Sequence, residues 1–330
     1  MILVTGGAGY IGSHFVYRAI KRDTNVNVVI LDNFSEGCEE AVRGWERIHV
    51  VHGDMGDKDI VNSTLKKYPI EAVVHFAAHC YVGESQSQPF KYFHNNVSSS
   101  LVLFEAMEQH GLRKIVFSSS CATYGIPQYS PIDEKHPQNP INNYGMTKLL
   151  AEQILFRLAA TAGWSTVCLR YFNASGAEPE AKIGESHNPE THLLPRILQA
   201  ATGKLESIDI LGTDYPTRDG TCIRDYIHVN DLADAHIASL DLIKSAGNST
   251  VAEAINLGTA TGYSVREVIE KCKEISGRNI TVREEARRPG DPPELVANAA
   301  KAKSLLNWHP QYTLDDIINS AWQWELNRRY

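Results

Sequence analysis

Tyr144 and Lys148 stand four residues apart in the run Tyr144-Gly145-Met146-Thr147-Lys148. That spacing sets both side chains on one face of a helix. A phenol beside an ammonium is a candidate proton carrier, because the positive charge favours phenolate over phenol. A free tyrosine has a pKa of about 10, and lowering it to about 7 takes roughly 4 kcal/mol of differential stabilisation. Tyr144 could then act as general base and general acid near neutral pH. The pair by itself is also the pattern of an ordinary solvated helix face. Ser118-Ser119-Ser120 strengthens the chemical reading, because it ends an apolar run upstream. Open parallel sheets bind ligands at the C-terminal ends of their strands. Ser120 in that place can hydrogen-bond a reacting oxygen, or simply cap a turn.

A second chemical pattern sits near the start. Thr5-Gly6-Gly7-Ala8-Gly9-Tyr10-Ile11-Gly12 follows one apolar run and opens a helical one. Its glycines allow a tight turn and let backbone N–H groups approach a pyrophosphate at the helix N-terminus. Gly7, Gly9 and Gly12 fit one dinucleotide frame; Gly6, Gly9 and Gly12 fit another. The next apolar run, Val28-Val29-Ile30-Leu31-Asp32, ends in an acid. A carboxylate there accepts hydrogen bonds from ribose hydroxyls and repels a 2′-phosphate, which predicts NAD over NADP. Oxidised nicotinamide would add positive charge beside Tyr144, and Lys148 could hold its ribose. Asp54 is either an adenine contact or part of an ordinary Gly-Asp turn.

These residues need a scaffold that brings strand ends together. Ile2–Val4, Val28–Leu31, Ile48–Val51, Ala72–Phe76, Lys114–Ser118 and Thr166–Leu169 read as strands buried on both faces. Helical periodicity fills the gaps at Tyr10–Ile20, Asp57–Lys67, Val97–Gln109 and Tyr144–Ala160. The alternation predicts right-handed crossovers and a Rossmann-type, doubly wound parallel α/β sheet. After Asn173 the pattern breaks. Residues 174–192 read as a loop, followed by a helix at Leu193–Thr202 and a strand at Ile208–Leu211. A helix at Val229–Ala246, with Asn230 as its N-cap candidate, and a strand at Ala254–Leu257 come next. A Pro-Gly-Asp-Pro-Pro turn occupies 289–293. The expected division is an NAD-binding domain over 1–173, with a returning segment near 229–257, and a smaller mixed α/β substrate domain over 174–330.

Composition narrows the function further. The 330 residues carry a net charge of −7, with 43% hydrophobic and 22% charged residues. This is a globular balance, and its sign argues against nucleic-acid or anionic-membrane binding. No apolar run approaches the roughly 20 residues of a membrane span. The N-terminus enters a strand at once and has no secretory pattern, so a cytoplasmic location is expected. Six scattered Cys form no C-x-x-C pair, and the 13 His form no helical metal motif. Reduced thiols and no protein-held metal are therefore expected.

The combined motifs resemble the extended short-chain dehydrogenases/reductases over nearly the whole chain. Val82-Gly83-Glu84-Ser85, Tyr92-Phe93-His94-Asn95-Asn96-Val97, Leu169-Arg170-Tyr171-Phe172-Asn173, Asp214-Tyr215-Pro216-Thr217, the run from Asp219 to Val229 and Arg287-Arg288-Pro289-Gly290-Asp291 narrow the resemblance. They are similar to nucleotide-sugar 4-epimerases of the UDP-glucose 4-epimerase type. The resemblance implies that Tyr144 takes the proton of a sugar 4-OH while C4 gives hydride to NAD. A 4-keto sugar turns in the site and takes the hydride back on its other face, interconverting UDP-glucose and UDP-galactose. It implies cofactor contacts from Gly6, Gly9, Tyr10, Ile11, Gly12, Asp32, Asn33, Asp54, Met55, Phe76, Ala77, Ala78, Asn95, Tyr144, Lys148 and Tyr171. It implies substrate contacts from Ser120, Tyr144, Asn173, His192, Leu193, Arg224, Arg288, Asp291 and Leu295. A homodimer is expected on the same ground.

The departures bear on the sugar. His79-Cys80-Tyr81 replaces a Leu-Lys-Ala common in the resembled family, His192 replaces a frequent Asn, and Leu295 a frequent size-limiting Tyr. A smaller Leu predicts room for UDP-N-acetylhexosamines. Cys121-Ala122-Thr123-Tyr124-Gly125 and Tyr81-Val82-Gly83-Glu84-Ser85 also resemble UDP-arabinose/UDP-xylose 4-epimerases. No acid follows Ser120, which favours epimerisation over dehydration. A non-catalytic NAD-binding sensor of the same fold is the reading from another class.

Overall fold

A computed structural model describes every residue except Ala181 and Pro289. The corresponding parts of the expected 174–192 loop and 289–293 turn lie outside the described residues. Seven parallel strands form the main sheet: β1 (Ile2–Thr5), β2 (Val28–Asp32), β3 (Ile48–His52), β4 (Ala72–His75), β5 (Lys114–Ser120), β6 (Ser165–Tyr171) and, from later in the chain, β10 (Ala252–Leu257). Their order is β10-β6-β5-β4-β1-β2-β3.

Alternate residues of each strand feed two apolar layers, as the two-residue period of a strand requires. Val4, Ile30, Val74, Val116 and Val167 face one layer, shared with α1 (Tyr10–Arg22) and α8 (Val229–Ser245). Leu3, Val29, Val73, Ile115 and Cys168 face the other. That layer is completed by α2 (Lys58–Lys67), α5 (Ser99–Gln109) and α6 (Asn143–Ala162), through Val61, Leu103, Met107 and Leu155. Edge strand β3 departs from the two-sided burial expected of it: His49 and Val50 are exposed, because no strand lies beyond it.

Between β4 and α5 come two short helices, α3 (Val82–Ser87) and α4 (Pro89–Phe93), then a π-helical turn over His94–Ser98. The cap of α8 differs from the one expected. His228, not Asn230, is the N-cap, and its Nδ1 accepts from the Asn230 N–H at 3.0 Å.

The remaining elements are β7 (Asn173–Ser175), α7 (Leu193–Ala201), β8 (Ile208–Leu211), β9 (Ile223–His228), β11 (Gly262–Ser264), α9 (Val265–Ser276), β12 (Val282–Glu285), β13 (Glu294–Leu295), α10 (Ala300–Leu306) and α11 (Leu314–Leu326). Strand β9 pairs with β7, β11 and β13. Leu194, Ile197, Val268, Ile269, Ile317 and Ile318 give α7, α9 and α11 a core of their own. Strand β7 follows β6 almost directly and pairs with β9, so it carries the chain from the main sheet into this second unit.

Candidate active site

The glycine loop bends where β1 ends. Gly6 has φ +71°, and a Cβ there would lie 2.6 Å from the Ala77 nitrogen. A Cβ on Gly12 would lie 2.1 Å from the Gly6 carbonyl oxygen. Only glycine permits this approach of loop, helix and β4 end. Asp32 is buried, with Oδ2 accepting from the Ala8 N–H and Oδ1 from the Phe34 N–H, both at 2.9 Å. Burial raises its pKa, while the two N–H donors oppose the shift. Asp54 accepts from Asn33 Nδ2 at 2.8 Å and from the Gly56 N–H at 2.7 Å, so it closes its own turn as well as facing the cleft.

Helix α6 carries Tyr144 and Lys148 because Asn142 caps it, accepting from the Gly145 N–H at 2.8 Å. A Cβ on Gly145 would lie 2.4 Å from the Ala122 carbonyl oxygen. The helix start is thereby pressed against the turn that follows Ser120. The Ser120 hydroxyl accepts from the Ala122 N–H at 3.1 Å. Lys148 is buried and donates to the Ser118 carbonyl at 2.7 Å, with Nζ 5.9 Å from the centre of the Tyr144 ring.

The expected easing of Tyr144 toward neutral pH is not a property of the protein alone. Burial pushes its hydroxyl well above the ordinary tyrosine value, with the nearby Ser120 hydroxyl pulling the other way. Burial also lowers Lys148 to about 8. Both shifts express one physical cause, a dry site that disfavours isolated charge. Tyr144 therefore stays a phenol until a further positive charge enters beside it.

A cavity of about 310 Å³ joins these parts. Its wall brings together Gly6, Gly9, Tyr10, Ile11, Gly12, Asp32, Asn33, Asp54, Met55, Phe76, Ala77, Ala78, Asn95, Ser120, Tyr144, Lys148 and Tyr171. Asn173, His192 and Leu193 line it too. Arg224, Arg288, Asp291 and Leu295 do not; the first three form a neighbouring polar group. Arg224 donates to the Pro292 carbonyl at 2.9 Å and lies 3.6 Å from Asp291, which Arg288 holds at 2.9 Å. Leu295 pairs with Arg224 across β13 and β9 and, like Cys121, packs against the cluster of Tyr124, Ile132, Phe172 and Ala297. Tyr226, two positions along β9, belongs to the cavity wall and links the two groups.

Four contributors, Gly145, Asn96, Glu185 and His187, are not among the residues that the motifs single out for the site. Gly145 matters through its close approach, although its position inside the Tyr-Gly-x-x-Lys run was a signal. Asn96, in the π-helical turn, accepts from the His79 N–H at 2.9 Å and donates to the His79 carbonyl and to Thr147 Oγ1, both at 3.0 Å. It ties the β4 end to α6. Glu185 and His187 reach the cavity from the 174–192 segment. Burial works against charge on His187, but Glu185 and Glu190 outweigh it and raise it to about 9.

A family model described as GDP-mannose 4,6 dehydratase matches residues 3–321. A UDP-glucose 4-epimerase of Streptococcus mutans is 46% identical over 325 residues, covering 98% of this chain and 96% of that protein. The crystal structure of UDP-glucose 4-epimerase from Brucella ovis in complex with NAD superposes with a TM-score of 0.92 at 46% identity, covering 97% of each chain. A UDP-glucose 4-epimerase from Stenotrophomonas maltophila, solved with NAD and formylated UDP-arabinopyranose, gives 0.94 at 38% identity, covering 99% of this chain and 98% of that one. With relatives of that identity along almost its whole length, the chain belongs to the UDP-glucose 4-epimerase family of extended short-chain dehydrogenases/reductases.

Proposed function

We propose that this protein is an NAD-dependent UDP-sugar 4-epimerase that interconverts UDP-glucose and UDP-galactose. The observation that carries the reading is convergence. Tyr144, Lys148 and Ser120 open into the same cavity as the glycine loop and Asp32. The residues present fit NAD: the loop leaves no space for side chains at Gly6 and Gly12, and the Asp32 carboxylate is fixed beside it.

When bound, NAD supplies reversible hydride transfer at the sugar C4, with no net redox change. Tyr144 Oη receives the proton of the 4-OH and returns it after the sugar has turned. Lys148 Nζ provides positive charge toward the phenolate and a donor toward the nicotinamide ribose. Ser120 Oγ hydrogen-bonds the 4-oxygen through its change of state. Burial of Tyr144 keeps bulk water from its hydroxyl. Arg224, with Asn173, His192 and Leu193, would hold the UDP portion, where a guanidinium fork suits diphosphate. Arg288 and Asp291 would flank the uridine ribose, and Leu295 would bound the sugar.

On this reading residues 1–173, with 229–257, bind NAD, and the rest of 174–330 binds the UDP-sugar. The protein would work in the cytoplasm as a homodimer. Phe90 on α4 and Leu101 on α5 are exposed apolar side chains that a second copy could cover. Among the described residues, no helix is long and apolar enough to cross a membrane. The pentose reading, UDP-arabinose/UDP-xylose epimerisation, draws support from the arabinopyranose ligand of the Stenotrophomonas relative.

Proton NMR of the purified protein with UDP-galactose and no added cofactor tests the proposal. UDP-glucose anomeric signals are expected to grow in. An unchanged spectrum from protein with confirmed bound NAD would reject the hexose reading. UDP-arabinopyranose and UDP-GalNAc, assayed alongside, would identify the pentose and N-acetyl alternatives. Silence with all of them would leave the sensor reading.

A further inference from the structure

The segment before α7 gathers a second set of chemical groups. Glu185, His187, Glu190 and His192 each offer one ligand-capable atom, and those atoms lie within 4.8 Å of one another. His192 Nδ1 is 2.8 Å from Glu185 Oε1 and 3.0 Å from Glu190 Oε1. His187 Nδ1 is 3.3 Å from Glu185 Oε1 and 3.6 Å from Glu190 Oε2. Four N/O ligands on a tetrahedron with bonds of about 2.0–2.1 Å are separated by about 3.3–3.4 Å. The contacts near that length use both oxygens of Glu190, and with one ligand atom per residue the separations stay within 4.8 Å, so the side chains would close in around an ion.

Hydrogen bonding among the four leaves a deficit. His187 Nδ1 and Glu190 Oε2 are buried without a hydrogen-bond partner. The Glu190 side chain is 3% exposed and that of His187 10%. Buried polar atoms normally find partners, so two orphans facing each other across one small cluster need an explanation. A cation between them satisfies both. Glu185 and Glu190 hold protons on both imidazoles, so an ion would bind by displacing those protons; the four side chains then carry a charge of −2, which a dication balances.

We infer that Glu185, His187, Glu190 and His192 form a site for a divalent transition metal of the zinc class. Imidazole with carboxylate suits Zn²⁺ and its first-row neighbours, and four protein ligands make a closed, structural site. The Glu185 carbonyl is held by Trp324 Nε1 at 2.8 Å and Arg328 at 2.9 Å, so this ligand's backbone is anchored to α11 and the chain after it. Tyr81 lies edge-on to His187, with ring centres 5.7 Å apart. The ion would staple the 185–192 segment, and with it the start of α7, against the cavity wall. This role is separate from hydride and proton transfer and does not rest on the epimerase reading, although His192 is shared with the proposed UDP contacts and would ligate through Nδ1 alone.

The test uses the full chain with its own nucleotide, stripped of metals by chelator. Co²⁺ titration is expected to give one equivalent per chain, with the strong visible absorption of tetrahedral cobalt, displaced by Zn²⁺. His187→Ala and Glu190→Gln should each weaken binding by at least about tenfold. Far-UV circular dichroism and retained nucleotide confirm that the variants fold. Crystals soaked in Zn²⁺ provide a readout without variants: an anomalous peak at the zinc edge among the four side chains is expected. No stoichiometric Co²⁺ binding, binding unchanged in both folded variants, or an anomalous peak only elsewhere would each overturn the inference.

Discussion

Replacing Lys148 with Met is expected to stabilise the cofactor-free protein at pH 7 while removing turnover. Lys148 is 3% exposed, and burial lowers its ammonium from 10.5 to about 8. Below about pH 8 both folded and unfolded chains carry the proton, and the folded state bears the whole cost of burying the charge. Between about 8 and 10.5 only the unfolded chain holds it, so stability rises with pH. Above about 10.5 neither does, and the cost is gone. The gap between 10.5 and about 8 corresponds to about 3 kcal/mol. Methionine keeps most of the apolar stem but leaves the Ser118 carbonyl without its donor, a loss of about 1 kcal/mol or somewhat more. The net gain should be about 1–2 kcal/mol at pH 7, shrinking toward pH 10.5. Urea unfolding of NAD-stripped wild type and Lys148→Met at several pH values measures both quantities. A variant less stable than wild type at pH 7, or a difference that does not vary with pH, would refute the reasoning. On the proposed mechanism such a lysine is a local conflict between folding and function, its buried charge serving the ligated state.

Tyr144→Phe should lower kcat by about 10²–10⁴ while NAD stays bound, since only the proton carrier is removed; a loss below tenfold would reject Tyr144 as that carrier. Gly12→Ala should yield protein purified without nucleotide, because the new Cβ meets the Gly6 oxygen at 2.1 Å. Wild-type occupancy, read by chromatography of the released nucleotide, would contradict this. Arg170→Met should cost about 3–5 kcal/mol, because it strands the Glu152 carboxylate, whose side chain is 1% exposed. Adding Glu152→Gln should recover much of that loss in thermal unfolding, and simple additivity of the two changes would show that they do not interact.

The parts of the fold that were legible are those whose cause is local. Strands β1, β2, β4, β5 and β6 announce themselves as largely apolar runs because both of their faces are buried. The edge strand β3 was found by the same rule, but its exposure was not, because having a neighbour is not a local property. Residue type favours Asn230 as the α8 cap, whereas His228, an unusual cap, accepts the N–H bond. The glycine loop and Asp32 were legible because turn geometry and strand-end position follow from adjacent residues. The close approach of Gly145 to Ala122 was not, since it depends on where two separate elements meet. The grouping of Glu185, His187 and Glu190 with His192 was hidden for another reason. Their spacing fits neither a helix face nor a strand face, and only the path of the loop brings them together.

The sheet order explains why the cofactor half of the cleft was more readable than the sugar half. Gly6 follows β1, Asp32 ends β2, Phe76 follows β4, Ser120 ends β5 and Tyr171 ends β6. These strands are neighbours in the order β6-β5-β4-β1-β2, so the residues form one row along the C-terminal edge. Strands sit about 4.8 Å apart, which places Ser120 about 14 Å along the edge from Asp32. The row is shaped for an elongated ligand, with the acid at one end and the Ser120–Tyr144 pair at the other. The crevice opens between β1 and β4, where the winding direction reverses and open sheets admit ligands. Each row residue follows from being at a strand end, which a sequence reveals. Arg224 and Leu295 instead reach their places through β9 and β13, short strands whose pairing depends on the whole second unit, and Asp291 stands in the turn just before β13. The residues proposed to hold the UDP-sugar therefore rest on nonlocal packing, whereas those proposed to hold the cofactor rest on the sheet edge itself.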